Sequence, residues 1–168
     1  TTDRFKETLF SIINSEKYSS NINGKYFLDL CSGSGGIGIE AFSRGAKKVY
    51  MIDKNQDAIN LINKNLTKLA LKSELDKNLF VLKQDIVKIE KLLLPQFDFI
   101  YFDPPYSSNI YSTVLNIISY NKILNDKGLI FVETDQLIDI EKLNLEQIFL
   151  KKIGSSYLQC FTKLLNPL

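Results

Sequence analysis

Histidine is absent from the sequence, and no other feature of its composition removes as much chemistry. Imidazole is the base of Ser/His/Asp and Cys/His nucleophile machinery, the usual proton shuttle near neutral pH and the commonest zinc ligand. Any reaction carried by this chain avoids it, and no metal site is expected. Cysteine is almost as scarce: Cys31 and Cys160 stand far apart, without the spacing of a metal knuckle or a disulfide framework. With no secretory leader either, the expectation is a reducing, cytoplasmic location. Long apolar runs are missing as well. Phe97–Phe102 and Gly128–Val132 stop far short of the roughly 20 residues that a membrane-spanning helix needs. Charge of one sign is lacking too, since 21 basic residues face 19 acidic ones. That balance does not by itself announce a nucleic-acid partner, and most lysines are expected to solvate helix faces.

What remains is an ordinary globular composition: 168 residues, 45% apolar and 24% charged, which predicts one packed domain over 1–168; a monomer is expected. Within it, a helical segment over 1–16 precedes a core over 24–168. Hydrophobic periodicity alternates between short apolar runs and helical spacing, as in an α/β protein with a largely parallel sheet. Thr2 or Asp3 caps a helix with Phe5, Leu9, Ile12 and Ile13 on one face, and a polar stretch runs from Ser15 to Asn23. Strands are predicted over Lys25–Cys31, Lys48–Ile52, Leu79–Lys83 and Phe97–Phe102, with a fifth starting at Lys127-Gly128 and ending near Glu133. Helices are predicted over Gly36–Ser43, from Asn55 through Leu69, weakly over Ile86–Leu93, and over Ile110–Ser119. Leu145–Ile153 and Tyr157–Leu164 read as an antiparallel hairpin turning at Gly154-Ser155-Ser156. The whole predicts a doubly wound, seven-stranded sheet with one reversed strand at an edge, and ligands over the carboxyl ends of the strands.

The first strand-to-helix loop fits G-x-G-x-x-G in Gly33-Ser34-Gly35-Gly36-Ile37-Gly38, with Asp53 twenty residues after its first glycine. By itself this is the fingerprint of a dinucleotide site, in which the glycines let backbone approach the ligand and the carboxylate takes the ribose hydroxyls. The bland reading is a tight turn and a solvent-facing aspartate. Asp29, just before the glycines in Leu28-Asp29-Leu30-Cys31-Ser32-Gly33, favours a cationic ligand over a pyrophosphate, although a strand-end aspartate also caps such a turn. Asp85 either accepts the exocyclic N–H of an adenine, with Ile86 against the ring, or caps the segment starting at Ile86, and both can hold.

D-x-x-x-G at the end of a first strand resembles motif I of class I S-adenosylmethionine-dependent methyltransferases, and Asp103-Pro104-Pro105-Tyr106 resembles motif IV of those that methylate exocyclic nitrogens. An exocyclic amine on an aromatic ring is a poor nucleophile, so such a site must align it with the sulfonium methyl and stabilise the positive charge growing on nitrogen. A carboxylate and backbone carbonyls suit that task, and a tyrosine ring offers an extruded base a stacking face. Together with Thr1-Thr2-Asp3-Arg4-Phe5-Lys6-Glu7-Thr8-Leu9-Phe10, these motifs resemble the RsmD-type family of bacterial 16S rRNA guanine-N2 methyltransferases over nearly the whole chain.

The resemblance implies a Rossmann-like methyltransferase fold, S-adenosylmethionine as methyl donor with S-adenosylhomocysteine as product, and 16S rRNA of the small ribosomal subunit as partner. It assigns the catalytic role to Asp103, Pro104, Pro105 and Tyr106. Cofactor binding falls to Asp29, Cys31, Ser32, Gly33, Gly35, Asp53, Lys54, Asp85, Ile86 and Asp103, all of them after Lys25. Cys31 departs from the bulkier residue expected at its position. Arg4 and Tyr106 are the candidate substrate contacts; Arg4 alternatively meets a cofactor carboxylate or pairs with Glu7. Family members usually carry a further basic segment ahead of the Thr-Thr-Asp-Arg stretch, so this chain is expected to bind cofactor well and RNA less well. The competing readings are an N6-adenine DNA methyltransferase, a nicotinamide dehydrogenase and a noncatalytic RNA-binding module.

Overall fold

The computed structural model describes residues 2–16, 21–105 and 110–164. Eleven regular elements follow one another: α1 (Asp3–Ile13), β1 (Tyr26–Leu30), α2 (Gly36–Ser43), β2 (Lys48–Asp53), α3 (Gln56–Lys68), β3 (Leu79–Lys83), β4 (Phe97–Phe102), α4 (Tyr111–Tyr120), β5 (Leu124–Thr134), β6 (Leu145–Ile153) and β7 (Ser156–Lys163). The seven strands form one sheet in the order β3-β2-β1-β4-β5-β7-β6. β1 to β5 run parallel, and β7 is antiparallel to both its neighbours. This is the mostly parallel, Rossmann-like sheet with a C-terminal antiparallel hairpin that the sequence predicts.

Both faces of the sheet are covered, which explains why the central strands are apolar almost throughout. Side chains alternate across the pleat. Phe27, Met51, Phe99 and Tyr101 pack with α1, α2 and α3 in one core, whereas Leu28, Leu30, Ile100 and Phe102 pack with α4 in the other. Asp29 alternates with Leu28 and Leu30, so it points to the α1–α2 side and is only 2% exposed. Thr2 caps α1 by accepting from Phe5 N–H, and Asn55 caps α3 by accepting from Asp57 N–H.

Three local expectations are corrected. The predicted helix Ile86–Leu93 is a 3₁₀ segment, Ile86–Lys91, interrupted at Lys88. Its buried residues Ile86 and Ile89 are three apart, a spacing that matches three residues per turn. β5 starts at Leu124 rather than at Gly128, with Asn125–Gly128 looped out between the pairs Phe97–Leu124 and Phe99–Leu129.

The reversed strand, finally, is not at the edge. β7 lies between β5 and β6 because its Leu158, Gln159, Cys160 and Phe161 are fully buried, while β6 exposes Glu146, Gln147, Leu150, Lys151 and Lys152. A charged strand with lysines is suited to a sheet edge, where it discourages pairing with other chains. Among the described residues no helix is long and apolar enough to cross a membrane.

Candidate active site

Register aligns the carboxyl ends of the central strands. Leu30 lies beside Ile52 on one side and Phe102 on the other, and Phe102 lies beside Val132. The next residues, Cys31, Asp53, Asp103 and Glu133, therefore emerge at one level. The chain passes from β1 to β2 and β3 on one side before crossing to β4 on the other, so this level is also where strand order reverses.

The β1–α2 loop is shaped by its own hydrogen bonds. Cys31 takes a left-handed φ of 59°, ending β1. Ser32 Oγ donates to the carbonyls of Asp29 (2.7 Å) and Ile52 (3.3 Å), which fastens the loop to the two strands beneath it. Asp53 then ties the loop to β2: Oδ2 accepts from Gly33 N–H at 3.0 Å and Oδ1 from Asn55 N–H at 2.9 Å. Asp29 Oδ2 accepts from Gly38 N–H, in the first turn of α2, at 2.9 Å.

Gly38 admits no side chain. A Cβ there would lie 2.6 Å from Met51 Cγ and 3.2 Å from Asp29 Oδ2. Gly38→Ala is accordingly expected to push Asp29 off its hydrogen bond, costing on the order of 1 to 3 kcal/mol of stability and weakening cofactor binding more than tenfold. Thermal melts and calorimetric titration of the purified variant check both.

Three cavities meet around this loop. The central one, about 560 Å³, is lined by Cys31, Gly33, Asp53, Lys54, Asn55, Asp103, Pro104, Pro105 and Glu133. A second, about 360 Å³, lies over Gln84, Asp85, Ile86 and Pro105. The third, about 180 Å³, contains Asp29, Ser32, Tyr101, Asp103 and Lys6. Cys31 lines all three.

The expected cofactor residues are thus largely brought together. Gly35 is an exception: it lines none of these cavities, and instead is the left-handed N-cap of α2 with its N–H on the Ser32 carbonyl. Asp85 both caps, accepting from Val87 N–H at 3.2 Å, and lines the second cavity. Arg4 is exposed and lines none of the three. Tyr106 lies outside the described residues.

Two residues were not anticipated. Glu133, 5% exposed, accepts from the Tyr101 hydroxyl at 2.5 Å and lines the central cavity; its sequence signal is an acidic residue directly after the apolar run Gly128–Val132. Lys6 lines the third cavity from α1, before the point at which the cofactor groups were expected to begin.

The site is acidic. Asp29, Asp53, Asp85, Asp103 and Glu133 line it against the cations Lys6 and Lys54. Burial pushes the Asp29 carboxyl up to about 8; the Gly38 N–H opposes the rise, and the charges of Asp103 and Asp53 add to it. A carboxyl surrounded by carboxylates is a receptor for a cation carried by the ligand, and a poor neighbour for a pyrophosphate. Burial also raises the Cys31 thiol, to about 12, leaving it a packing group rather than a nucleophile. No cluster that would hold a metal ion occurs among the described residues.

Comparison with known proteins agrees with this geometry. A family profile described as "conserved hypothetical protein 95" matches residues 1–162. The chain belongs to that family. A relative from Haemophilus influenzae, "ribosomal RNA small subunit methyltransferase D", is 34% identical over 136 residues, covering 81% of this chain and 67% of the relative. The "putative rRNA methyltransferase YlbH" of Bacillus subtilis is 32% identical over 83% of this chain and 73% of its own length. Among solved structures, a putative methyltransferase from Escherichia coli superposes with a TM-score of 0.81 at 25% identity, covering 97% of this chain and 88% of that one. The conserved hypothetical protein 95 family is therefore the RsmD-type family that the motifs resemble, and the fold is that of a Rossmann-like methyltransferase.

Proposed function

We propose that this chain methylates the exocyclic N2 of a guanine in small-subunit rRNA, with S-adenosylmethionine as donor, in the cytoplasm. The observation that carries the proposal is the convergence of Asp29, Asp53 and Asp103 on adjoining acidic cavities at the switch point of the sheet, with Pro104 and Pro105 at the rim. Family membership and the names of the relatives support the rRNA substrate.

The residues fit the donor. Asp53 suits the ribose hydroxyls, Asp85 and Ile86 the adenine, and Asp29 the ammonium of the amino-acid tail. When bound, the donor supplies a methyl group made electrophilic by its sulfonium. Asp103 lines both the central and the third cavity, which supports a role in which its carboxylate accepts hydrogen bonds from the amine and offsets the positive charge that grows as N2 gains carbon and sheds a proton. Pro104 and Pro105 lack N–H groups, which stiffens this loop and removes two backbone donors that would compete with the amine for nearby carbonyls. The motif assigns Tyr106 the stacking face for the extruded base.

Assays of labelled-methyl transfer to 30S particles, naked 16S rRNA and duplex DNA test the proposal. Methylated guanine in 16S rRNA is the expected product, and a preference for DNA adenine overturns it. Asp53→Ala is expected to weaken S-adenosylmethionine binding by about 1 to 3 kcal/mol, the loss when ribose hydroxyls lose a charged partner. Unchanged affinity by calorimetry removes Asp53 from the site.

A further inference from the structure

We propose that Lys54 binds a phosphate of the RNA strand that delivers the target guanine, and so serves the substrate rather than the donor. This rests on the reading of the site as that of an rRNA methyltransferase, and it reassigns a residue that the motifs give to the cofactor.

Lys54 directly follows β2 and is exposed. It lines the central cavity and the second one, and among the described residues it is the only cation lining either. Cys31 and Pro105 line both cavities with it, so Lys54 stands at their junction. It reaches the central cavity from the β2 side, whereas Pro104 and Pro105 line that cavity from the β4 side. These two cavities are the ones read as taking the ribose, the adenine and the reacting groups. S-adenosylmethionine is neutral at its ribose and adenine and positive at its sulfur. Its one anionic group is on the amino-acid tail, which is assigned to the third cavity, and Lys54 does not line that cavity. The donor therefore brings Lys54 no anion, and its sulfonium repels the lysine.

The protein supplies no structural use for the charge either. Lys54 takes no part in the ion pairs found among the described residues. It immediately precedes Asn55, the N-cap of α3, where the helix dipole disfavours a cation. Its charge nevertheless acts inside the site, because it opposes the rise of the Cys31 thiol. A lysine that helps neither helix nor donor, on the rim of a cavity that receives a nucleobase, is placed for the anion that accompanies every base in RNA. An extruded guanine enters only with its own sugar and flanking phosphates, and a compact charge on a flexible stem can meet a phosphate without fixing its orientation. The opposing charges matter as much. Asp53, Asp103 and Glu133 line the same cavity and repel a phosphate from its interior, so Lys54 holds the backbone at the rim while the base goes in.

Lys54→Met keeps the apolar stem and removes the charge. Calorimetry should find no loss of S-adenosylmethionine affinity, and the melting temperature should not fall. In methyl-transfer assays across a salt series, its KM for 30S particles at low salt should rise about three- to tenfold with kcat little changed, and the slope of log KM against log salt should flatten by about 0.7, the value for one single-strand phosphate. Lys54→Arg should keep the wild-type KM, and Lys68→Met, at the other end of α3, should alter neither KM nor slope. The loss should recur in equilibrium binding of protein-free 16S rRNA; its absence there would assign the anion to a ribosomal protein and overturn the phosphate role. Weakened donor binding in Lys54→Met, or an unchanged KM and salt slope, overturns it as well. A wild-type protein that binds S-adenosylmethionine but methylates no ribosomal RNA overturns the substrate reading and this role with it. One that methylates ribosomal RNA, with no penalty in Lys54→Met, overturns this role alone.

Discussion

Asp29→Asn is expected to raise the melting temperature of the ligand-free protein and, in the same molecule, to weaken its affinity for S-adenosylmethionine at least tenfold. Asp29 is 2% exposed, and burial lifts its pKa from 3.8 to about 8. A carboxyl raised in this way keeps its proton in the folded state after the unfolded chain has lost it. Stability consequently declines as pH rises from about 4 towards about 8, and the loss levels off above that. Asparagine has no proton to lose. At pH 7 the variant should gain on the order of 1 to 3 kcal/mol after the cost of burying its amide, or about 3 to 8 °C in a chain of this size. Below about pH 4, where the carboxyl is protonated in both states, that gain is gone and only the cost of the buried amide remains, so the order of stability should reverse.

Binding should move the opposite way. On the proposed function the donor's ammonium pairs with the ionised carboxylate, so wild-type affinity should climb with pH towards 8 and fall once the ammonium, with an α-amino pKa of about 7.7–8.0, deprotonates. Asp29→Asn should bind roughly 10- to 150-fold more weakly, the loss of a charged hydrogen bond, and its affinity should lose the rising limb. Melting curves across pH and calorimetry in buffers of differing ionisation enthalpy test the two halves separately. A variant no more stable than wild type at pH 7 would show that the buried carboxyl carries no strain, and one that binds normally would remove Asp29 from the site.

Asp103→Ala should act on the chemical step. On the proposed function its carboxylate offsets the charge that develops on nitrogen, so kcat with ribosomal substrate should drop on the order of 100-fold or more while donor affinity changes little. A second signature distinguishes this from general damage. The Asp103 charge helps to raise the Asp29 pKa, so removing it should shift the rising limb of donor affinity to lower pH. An unaltered kcat would refute the role of Asp103, and an unmoved pH profile would show that the two carboxyls do not communicate.

Much of this site was legible in the sequence because strand ends and glycine turns are local. Asp29, Gly33, Asp53, Asp85 and Asp103 each follow or end an apolar run, and a parallel sheet brings such positions together without further information. Gly35 matched the fingerprint, yet it serves the turn into α2, since the same pattern encodes loop shape and ligand approach alike. Glu133 was visible as the acidic residue after the apolar run Gly128–Val132, but its contact with the Tyr101 hydroxyl comes from a strand 32 residues earlier. Lys6 was hidden for a different reason. Nothing near it in sequence says that α1 lies over the carboxyl end of β1; that follows from long-range packing of Phe5, Leu9 and Phe10 against the sheet. The place of β7 was hidden in the same way, because a hairpin's turn fixes which strands pair but not which of them meets the sheet.

The position of β7 constrains the order in which the molecule is completed. β5 supplies the fully buried segment Ile130–Val132, and its outer edge is paired by β7. During synthesis β6 emerges first, yet it bonds to β7 and not to β5. From the time Thr134 leaves the ribosome until the strand ending at Lys163 follows, a nascent chain carries an apolar strand with one side open to any extended partner. Translation that stops within Ile153–Lys163 would leave a product with the loops after β1, β2 and β4 complete and a sheet primed to aggregate.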